Sequence, residues 1–282
     1  MKYAFFGTPR FAAIILGRLL EADMPPSALV CNPDKPVGRK KVITPPPTKQ
    51  LVLDIGNKEQ RIKVLQPATS EELLAISDEV FENCDFGVVA AYAQIIPQAV
   101  IDKARLGIIG VHPSLLPKLR GASPIQAAIL EGYDKTGVSL FMIDKDVDHG
   151  SVIAKRELAI GENDYTKLEK RLADISADLL LEVLPNFAIG KVELEIQDES
   201  SATYTQKYST DDGYVDFNDL TEAENNGNGS ETLLRKIRAL NPEPGVYTFI
   251  GEKRTKLLDA EIKEGKLVLK EIQKEGGKPT KV

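Results

Sequence analysis

The first two thirds of the chain alternate short apolar runs with segments whose apolar residues recur at helical spacing. No other feature constrains the fold as tightly. Lys2–Gly7 is an apolar run closed by glycine, and Phe11–Leu20 follows with helical periodicity. Ala28–Cys31, Gly87–Tyr92 and Gly107–Val111 read as further strands, with Glu71–Ile76 and Ile125–Glu131 as helix candidates between runs. Strands alternating with helices predict an α/β domain whose parallel sheet is covered on both faces. Strands this short and this apolar suit burial on both sides. Gly137–Ile143 and Val152–Ile160 read as later strands. Over Thr166–Phe187, the residues Leu168, Leu172, Ile175, Leu179, Val183 and Phe187 form one stripe, which predicts a packing helix. Asp164 or Thr166 is placed to cap its start and Gly190 its end.

From about Asp198 the texture changes. Glu199–Thr210 is polar, and Asn225–Ser230 is so rich in Asn and Gly that a mobile loop is expected. Ser230 is a candidate N-cap for a helix over Glu231–Leu240, stopped by Asn241-Pro-Glu-Pro-Gly245. Tyr247–Ile250, Thr255–Leu258 and Lys266–Ile272 read as strands of a small β-rich second domain. The expected division is a domain over 1–190, a linker over 191–206 and a second domain over 207–282.

Composition narrows the function classes. With 42% hydrophobic and 28% charged residues, the chain can bury a core and is neither fibrous nor disordered. Two cysteines, Cys31 and Cys84, make no disulfide framework, and two histidines, His112 and His149, leave little room for a His-rich metal site. No run of about 18 apolar residues appears, so a soluble cytoplasmic protein is expected, with no membrane contact. The net charge of -6 argues against a protein that coats nucleic acid. The charge is unevenly spread, however. Residues 233–282 carry 12 Lys and Arg against 7 Asp and Glu, a surplus of +5 that leaves -11 on the rest. A polyanion touching one end and a plain solvated lysine face explain that surplus about equally well.

Several motifs can carry chemistry. Gly7-Thr8-Pro9 follows the first strand but is not the dinucleotide fingerprint. Gly7 either lets the backbone approach a ligand or merely turns the chain. Asp34–Lys41 holds Lys35, Arg39, Lys40 and Lys41 between prolines, a compact cationic finger suited to phosphates or, more blandly, an exposed soluble loop. Gly107–Pro117 places His112 at the carboxyl end of an apolar strand, where open α/β sheets bind ligands. A lone histidine is more often structural, but the Pro-bounded loop and Arg120-Gly121 after it favour function. Asp144–Gly150 has acids at alternate positions. It fails the calcium-loop pattern, which needs Gly at position 6 and Glu at 12. One of its acids orienting His112 is the alternative.

At these residues the chain resembles the methionyl-tRNA formyltransferase family. Gly7–Ala12, Pro33–Lys41, Val88–Pro97, His112–Gln126, Thr136–Val138, Met142–Gly150 and Arg238–Gly245 are similar to its motifs, across nearly the whole chain. The resemblance implies a Rossmann-like formyltransferase domain followed by a small, open, OB-like β-barrel. It implies formyl transfer from 10-formyltetrahydrofolate to the amino group of initiator methionyl-tRNA by a monomer that needs no metal. His112 would donate to the developing oxyanion or carry a proton, and Asp148 would orient it. Ser114, Leu115, Leu116, Pro117, Tyr92, Gln94, Ile95, Asp144 and Val147 would take the folate. Lys35, Arg39, Lys40, Lys41, Arg120 and Arg238 would take the tRNA.

One departure bears on the chemistry. Gly110 stands where the family usually has Asn, so a side-chain amide for the formyl oxygen is missing. Loss of one such donor costs roughly 10²–10³ in rate. Gln94 is a candidate replacement. Two other functions stay open: formylation of a nucleotide-linked amino sugar, and a catalytically weakened tRNA- or folate-binding homologue.

Overall fold

A computed structural model describes residues 1–38, 40–55 and 62–282. Arg39 of the cationic finger lies outside the described residues. The chain forms two compact units. One comprises Met1–Arg120, Gly137–Leu158 and Lys170–Thr203; the other comprises Gly121–Thr136, Ala159–Glu169 and Tyr204–Val282.

The strands in chain order are β1 Tyr3–Gly7, β2 Ala28–Val30, β3 Lys35–Val37, β4 Val42–Thr44, β5 Lys63–Leu65, β6 Phe86–Ala90, β7 Ile108–His112, β8 Arg120–Gly121, β9 Lys135–Met142 and β10 Val152–Ala159. β11 Tyr204–Thr205, β12 Tyr247–Ile250, β13 Lys253–Lys263, β14 Lys266–Lys274 and β15 Thr280–Lys281 follow. The helices are α1 Arg10–Glu21, α2 Pro47–Asp54, α3 Ser70–Ala75, α4 Ser77–Phe81, α5 Gln98–Ile101, α6 Pro124–Leu130, α7 Tyr165–Ala188, α8 Phe217–Asn225 and α9 Ser230–Leu240.

The first unit is built on a sheet of order β10-β9-β7-β6-β1-β2-β5. β5, β2, β1, β6 and β7 run parallel, as expected. β9 is antiparallel to β7, so the chain re-enters the sheet at the end where it leaves at His112, and the sheet is mixed. Alternate side chains sort to the two faces. Ala4, Phe6, Ala28 and Val30 face Leu73 of α3, Val80 of α4 and Val100 of α5. Tyr3 stacks on Phe86 at 5.5 Å, and Phe86 meets Phe187 of α7 edge-on at 5.2 Å. Each fully buried aromatic ring of this kind stabilises the fold by about 1.5–3 kcal/mol. Gly7 has a packing reason. A Cβ there would lie 2.7 Å from Ala12 Cβ and 2.9 Å from the Ala90 carbonyl. Asp164 accepts from Lys167 N at 2.8 Å and caps the long helix.

In the second unit, β12-β13-β14-β15 form an antiparallel sheet beside α8 and α9. Leu233, Leu234, Ile237 and Leu240 are the buried stripe of α9. Two expectations change here. Gly229, not Ser230, is the N-cap, and Ser230 Oγ is buried and donates to the Ala223 carbonyl at 3.0 Å. The otherwise exposed Asn-Gly loop is anchored at one point: a Cβ on Gly227 would lie 2.5 Å from the Gly265 carbonyl. Glycine permits a backbone-on-backbone contact that a polar composition does not advertise. Asn241 closes α9 by donating to the Ile237 and Leu257 carbonyls at 3.0 and 2.8 Å.

Candidate active site

His112 ends β7 and is buried. Its Nε2 lies 2.8 Å from the Leu119 carbonyl oxygen. A carbonyl only accepts, so Nε2 carries the proton and Nδ1 is the working nitrogen. Nδ1 faces Asp148 Oδ2 at 3.5 Å. One proton between them makes an imidazolium–carboxylate pair; without it, two acceptors face each other. The sheet thus brings together the two residues expected to carry the chemistry.

Asp148 comes from the loop between β9 and β10. Its backbone is left-handed, with φ 49°, a conformation that side-chain-bearing residues seldom adopt without support. Gln197 supplies that support. Its Nε2 donates to the carbonyls of Asp148 and Gly150 at 2.9 and 2.8 Å. Its Oε1 accepts from Arg120 Nη2 and Nε at 2.8 and 3.1 Å. Arg120 also makes a bidentate pair with Glu199, at 2.6 and 3.0 Å, which holds the Glu199 carboxyl below the usual range. Gly150 sits so close to the Met142 carbonyl that a Cβ would be 1.8 Å away.

Arg120 therefore stands apart from its expected role. It is 0% exposed, inside a network where no phosphate reaches it. The segment around Gln197, which reads as linker, is the strap of this site. Nothing in the sequence marks it, because the burial there is inverted: Ile196 is 85% exposed while Gln197 is buried. His149 joins the same network. Its Nδ1 lies 2.7 Å from Asp144 Oδ2 and its Nε2 3.5 Å from Glu199 Oε1. The hydrogen bond to Asp144 raises the His149 pKa. Asp144 also accepts from Asp146 N at 3.0 Å.

Gly110 is not an empty place. A Cβ there would lie 2.4 and 2.5 Å from two Phe141 ring atoms and 2.8 Å from Ile143 Cδ1. Phe141 is the cross-strand partner of Gly110 and stands edge-on to His112 at 6.5 Å. It packs with Leu116 and Val152. Gln94 does not fill the role of the missing amide. Its Nε2 donates to the Pro67 carbonyl at 2.8 Å and to Asn32 Oδ1 at 3.0 Å, which spends both N–H groups. Its Oε1 is buried with no partner among the described residues, as is the Tyr92 hydroxyl. Burial lifts the Tyr92 phenol to about 12.

The other expected folate residues divide. Ile95 and Val147 are 83% and 63% exposed on their loops. Ser114 and Leu116 are buried: Ser114 Oγ donates to the Lys118 carbonyl at 2.6 Å, and Leu116 N donates to Ser139 Oγ at 2.9 Å. Leu115 packs over Gly137, and the Pro117 carbonyl accepts from Thr203 N at 3.2 Å. Lys35 and Lys41 are exposed on the paired strands β3–β4 and the turn between them, with Lys40 in that turn. The finger is a hairpin rather than a loop. Its base is fixed where Lys49 and Gln66 both bond Asp34 at 2.9 Å, which holds that carboxyl below its ordinary range. Arg238 lies on α9 of the second unit.

Comparison with known proteins shows the family. Residues 1–184 match the formyl transferase family, and residues 209–267 match the formyl transferase C-terminal domain. A methionyl-tRNA formyltransferase of Sulfurihydrogenibium is 36% identical over 98% of the chain and 87% of its own length. The chain belongs to the methionyl-tRNA formyltransferase family. Two solved structures share the fold of this formyltransferase. The methionyl-tRNA formyltransferase of Clostridium thermocellum superposes with TM-score 0.60 at 16% identity, covering 100% of this chain and 99% of that one. An N-formyltransferase of Helicobacter canadensis, solved with folinic acid and dTDP-3-aminofucose, superposes with TM-score 0.64 at 18% identity over 93% and 88%. The relatives by sequence carry the tRNA activity in their names, so the amino-sugar alternative is the weaker one. No helix of the described residues is long and apolar enough to cross a membrane.

Proposed function

We propose that the chain moves a formyl group from 10-formyltetrahydrofolate to the amino group of initiator methionyl-tRNA, as a monomer in the cytoplasm, without a metal. The observation that carries the mechanism is the His112–Asp148 pair at the end of β7. The amine attacks the formyl carbon, the N10–formyl bond breaks, and one proton leaves the amine while one reaches the folate nitrogen. His112 Nδ1, with Asp148 beside it, takes the first proton and returns it. While it holds that proton, it also places a positive charge beside the formyl oxygen. Gly110 has no side chain to donate and the N–H groups of Gln94 are spent, so this double duty falls to His112.

The donor's fit rests on the loops around the pair. Exposed Ile95 and Val147 offer apolar contact for a flat ring. Tyr92 and Gln94 precede Ile95 in the same loop and would back the ring from beneath. The backbone of 115–117 and the Asp144–Asp148 loop would complete the site. Lys35, Arg39, Lys40, Lys41 and Arg238 would hold phosphates, in a chain divided at 1–190, 191–206 and 207–282. Arg120 is left out because it is buried.

The test is formylation of charged initiator tRNA with 10-formyltetrahydrofolate. His112→Ala and Asp148→Asn are expected to lose roughly 10²–10⁴ in kcat/KM. Wild-type rates in either variant would overturn the mechanism, and no formylated product from the wild type would overturn the function.

A further inference from the structure

The second unit carries an aromatic surface that none of the roles above uses. The β12–β13 register sets Tyr247 opposite Lys256 and Phe249 opposite Arg254, and Tyr214 is bridged to Tyr247. Opposed residues project to the same side of a sheet. Tyr214, Tyr247, Phe249, Arg254 and Lys256 therefore share one face. The three rings pack together, with centroids 5.7 Å apart for Tyr214–Tyr247, 5.9 Å for Tyr247–Phe249 and 6.3 Å for Tyr214–Phe249. Tyr214 and Phe249 remain 42% and 46% exposed.

Cations are built into the same face. Arg254 lies over the Tyr247 ring, its Cζ 3.7 Å from the centroid. Its Nε is buried without a hydrogen-bond partner among the described residues. Lys236 donates to the Tyr214 carbonyl at 2.6 Å and pins the outer ring's backbone. Lys253 and Lys256 are exposed on β13. Residues 233–282 carry 12 basic against 7 acidic residues, whereas 204–232, which holds Tyr214, carries 1 against 7, so the cations of this face are those of α9 and β13.

Exposed π-faces beside planar and point cations have a chemical match in unpaired nucleotides. Each base stacks on a ring while its phosphate meets Arg or Lys. A long blunt duplex buries every base face except the two at its ends and would rely mainly on the lysines. We propose that this face is a stacking platform for unpaired RNA nucleotides. It rests on the tRNA reading above and deepens it: the second unit would grip tRNA by its unpaired bases as well as by its phosphates.

The chain has no tryptophan, so Phe249→Trp puts one indole on the platform as a reporter. Its emission is expected to be quenched by deacylated tRNA and by a short single-stranded RNA, but not by the same sequence as a blunt duplex. In filter binding to tRNA, Phe249→Ala and Tyr214→Ala are each expected to weaken affinity by about tenfold with an unchanged salt slope. Lys256→Ala should lower that slope by about one. Phe249→Tyr should keep wild-type affinity, and thermal melts establish that each variant is folded. Equal quenching by duplex and single strand would overturn the platform. So would wild-type tRNA affinity in both Phe249→Ala and Arg254→Ala, with the formyl-transfer reading left standing. Failure of the wild type both to bind and to formylate tRNA would overturn that reading and the platform with it.

Discussion

Restoring the amide at Gly110 is the substitution that family resemblance suggests first, and the structure predicts that it fails. Its first side-chain carbon would sit 2.4–2.8 Å from Phe141 and Ile143, about 1 Å inside ordinary contact. Phe141 is 2% exposed and held by Leu116 and Val152, so its ring has nowhere to go. Overpacking of this kind costs about 1–3 kcal/mol, and an amide without partners among apolar groups adds about 1–3 kcal/mol. The loss of glycine's freedom in the unfolded chain returns only about 0.4–1 kcal/mol. Gly110→Asn should therefore destabilise by about 2–5 kcal/mol and lower Tm by on the order of 10 °C, with no gain in turnover. Phe141→Ala, which opens the space, should cost about 3–5 kcal/mol alone. In that background Gly110→Asn should cost less than about 1 kcal/mol, a coupling of at least about 1 kcal/mol. Calorimetry and the formylation assay on the four proteins complete the cycle. An unchanged Tm with raised turnover in Gly110→Asn alone would refute the reasoning.

Other expectations concern the strap and its neighbours. Gln197→Leu removes both hydrogen bonds that hold the Asp148 loop and should destabilise by about 1–3 kcal/mol. It should also lower kcat more than it raises KM, as steady-state kinetics would show. Asp144→Asn should bring the raised His149 pKa back towards its ordinary value, which imidazole NMR titration reads directly. Because that pKa is raised on folding, the stability it adds is fully present below about pH 6.5 and is lost as pH rises through the folded value. The stability gap between wild type and Asp144→Asn should accordingly be wider at acid than at alkaline pH in denaturant titrations. Both cysteines are buried, and burial lifts Cys31 to about 11. Native protein at neutral pH should react with neither thiol reagent equivalent until denaturant is added.

Much of the fold is legible because its elements are local. β1, β2, β6 and β7 lie within a residue or two of the apolar runs that predict them, and α7 spans its stripe from Tyr165 to Ala188. The hairpin in the cationic segment is harder to see, since Val37, Val42 and Ile43 are more than half exposed and bury no face to set a period. The reversed direction of β9 is invisible for another reason. A strand's sequence records how it is buried, not which way its neighbour runs.

The same division holds at the site. Sequence alone determined the strand that ends in His112, the acidic loop that offers Asp148, and the absence of a side chain at Gly110. Those are properties of short segments. The tertiary structure alone decided that Phe141 occupies the space over Gly110, that both N–H groups of Gln94 are spent, and that Arg120 is buried rather than free for a phosphate. Arg120 and Gln197 stand 77 positions apart in the chain. A hydrogen bond across that distance leaves no periodicity for a reader of the sequence. It exists because burying a guanidinium is costly unless folded neighbours satisfy its donors.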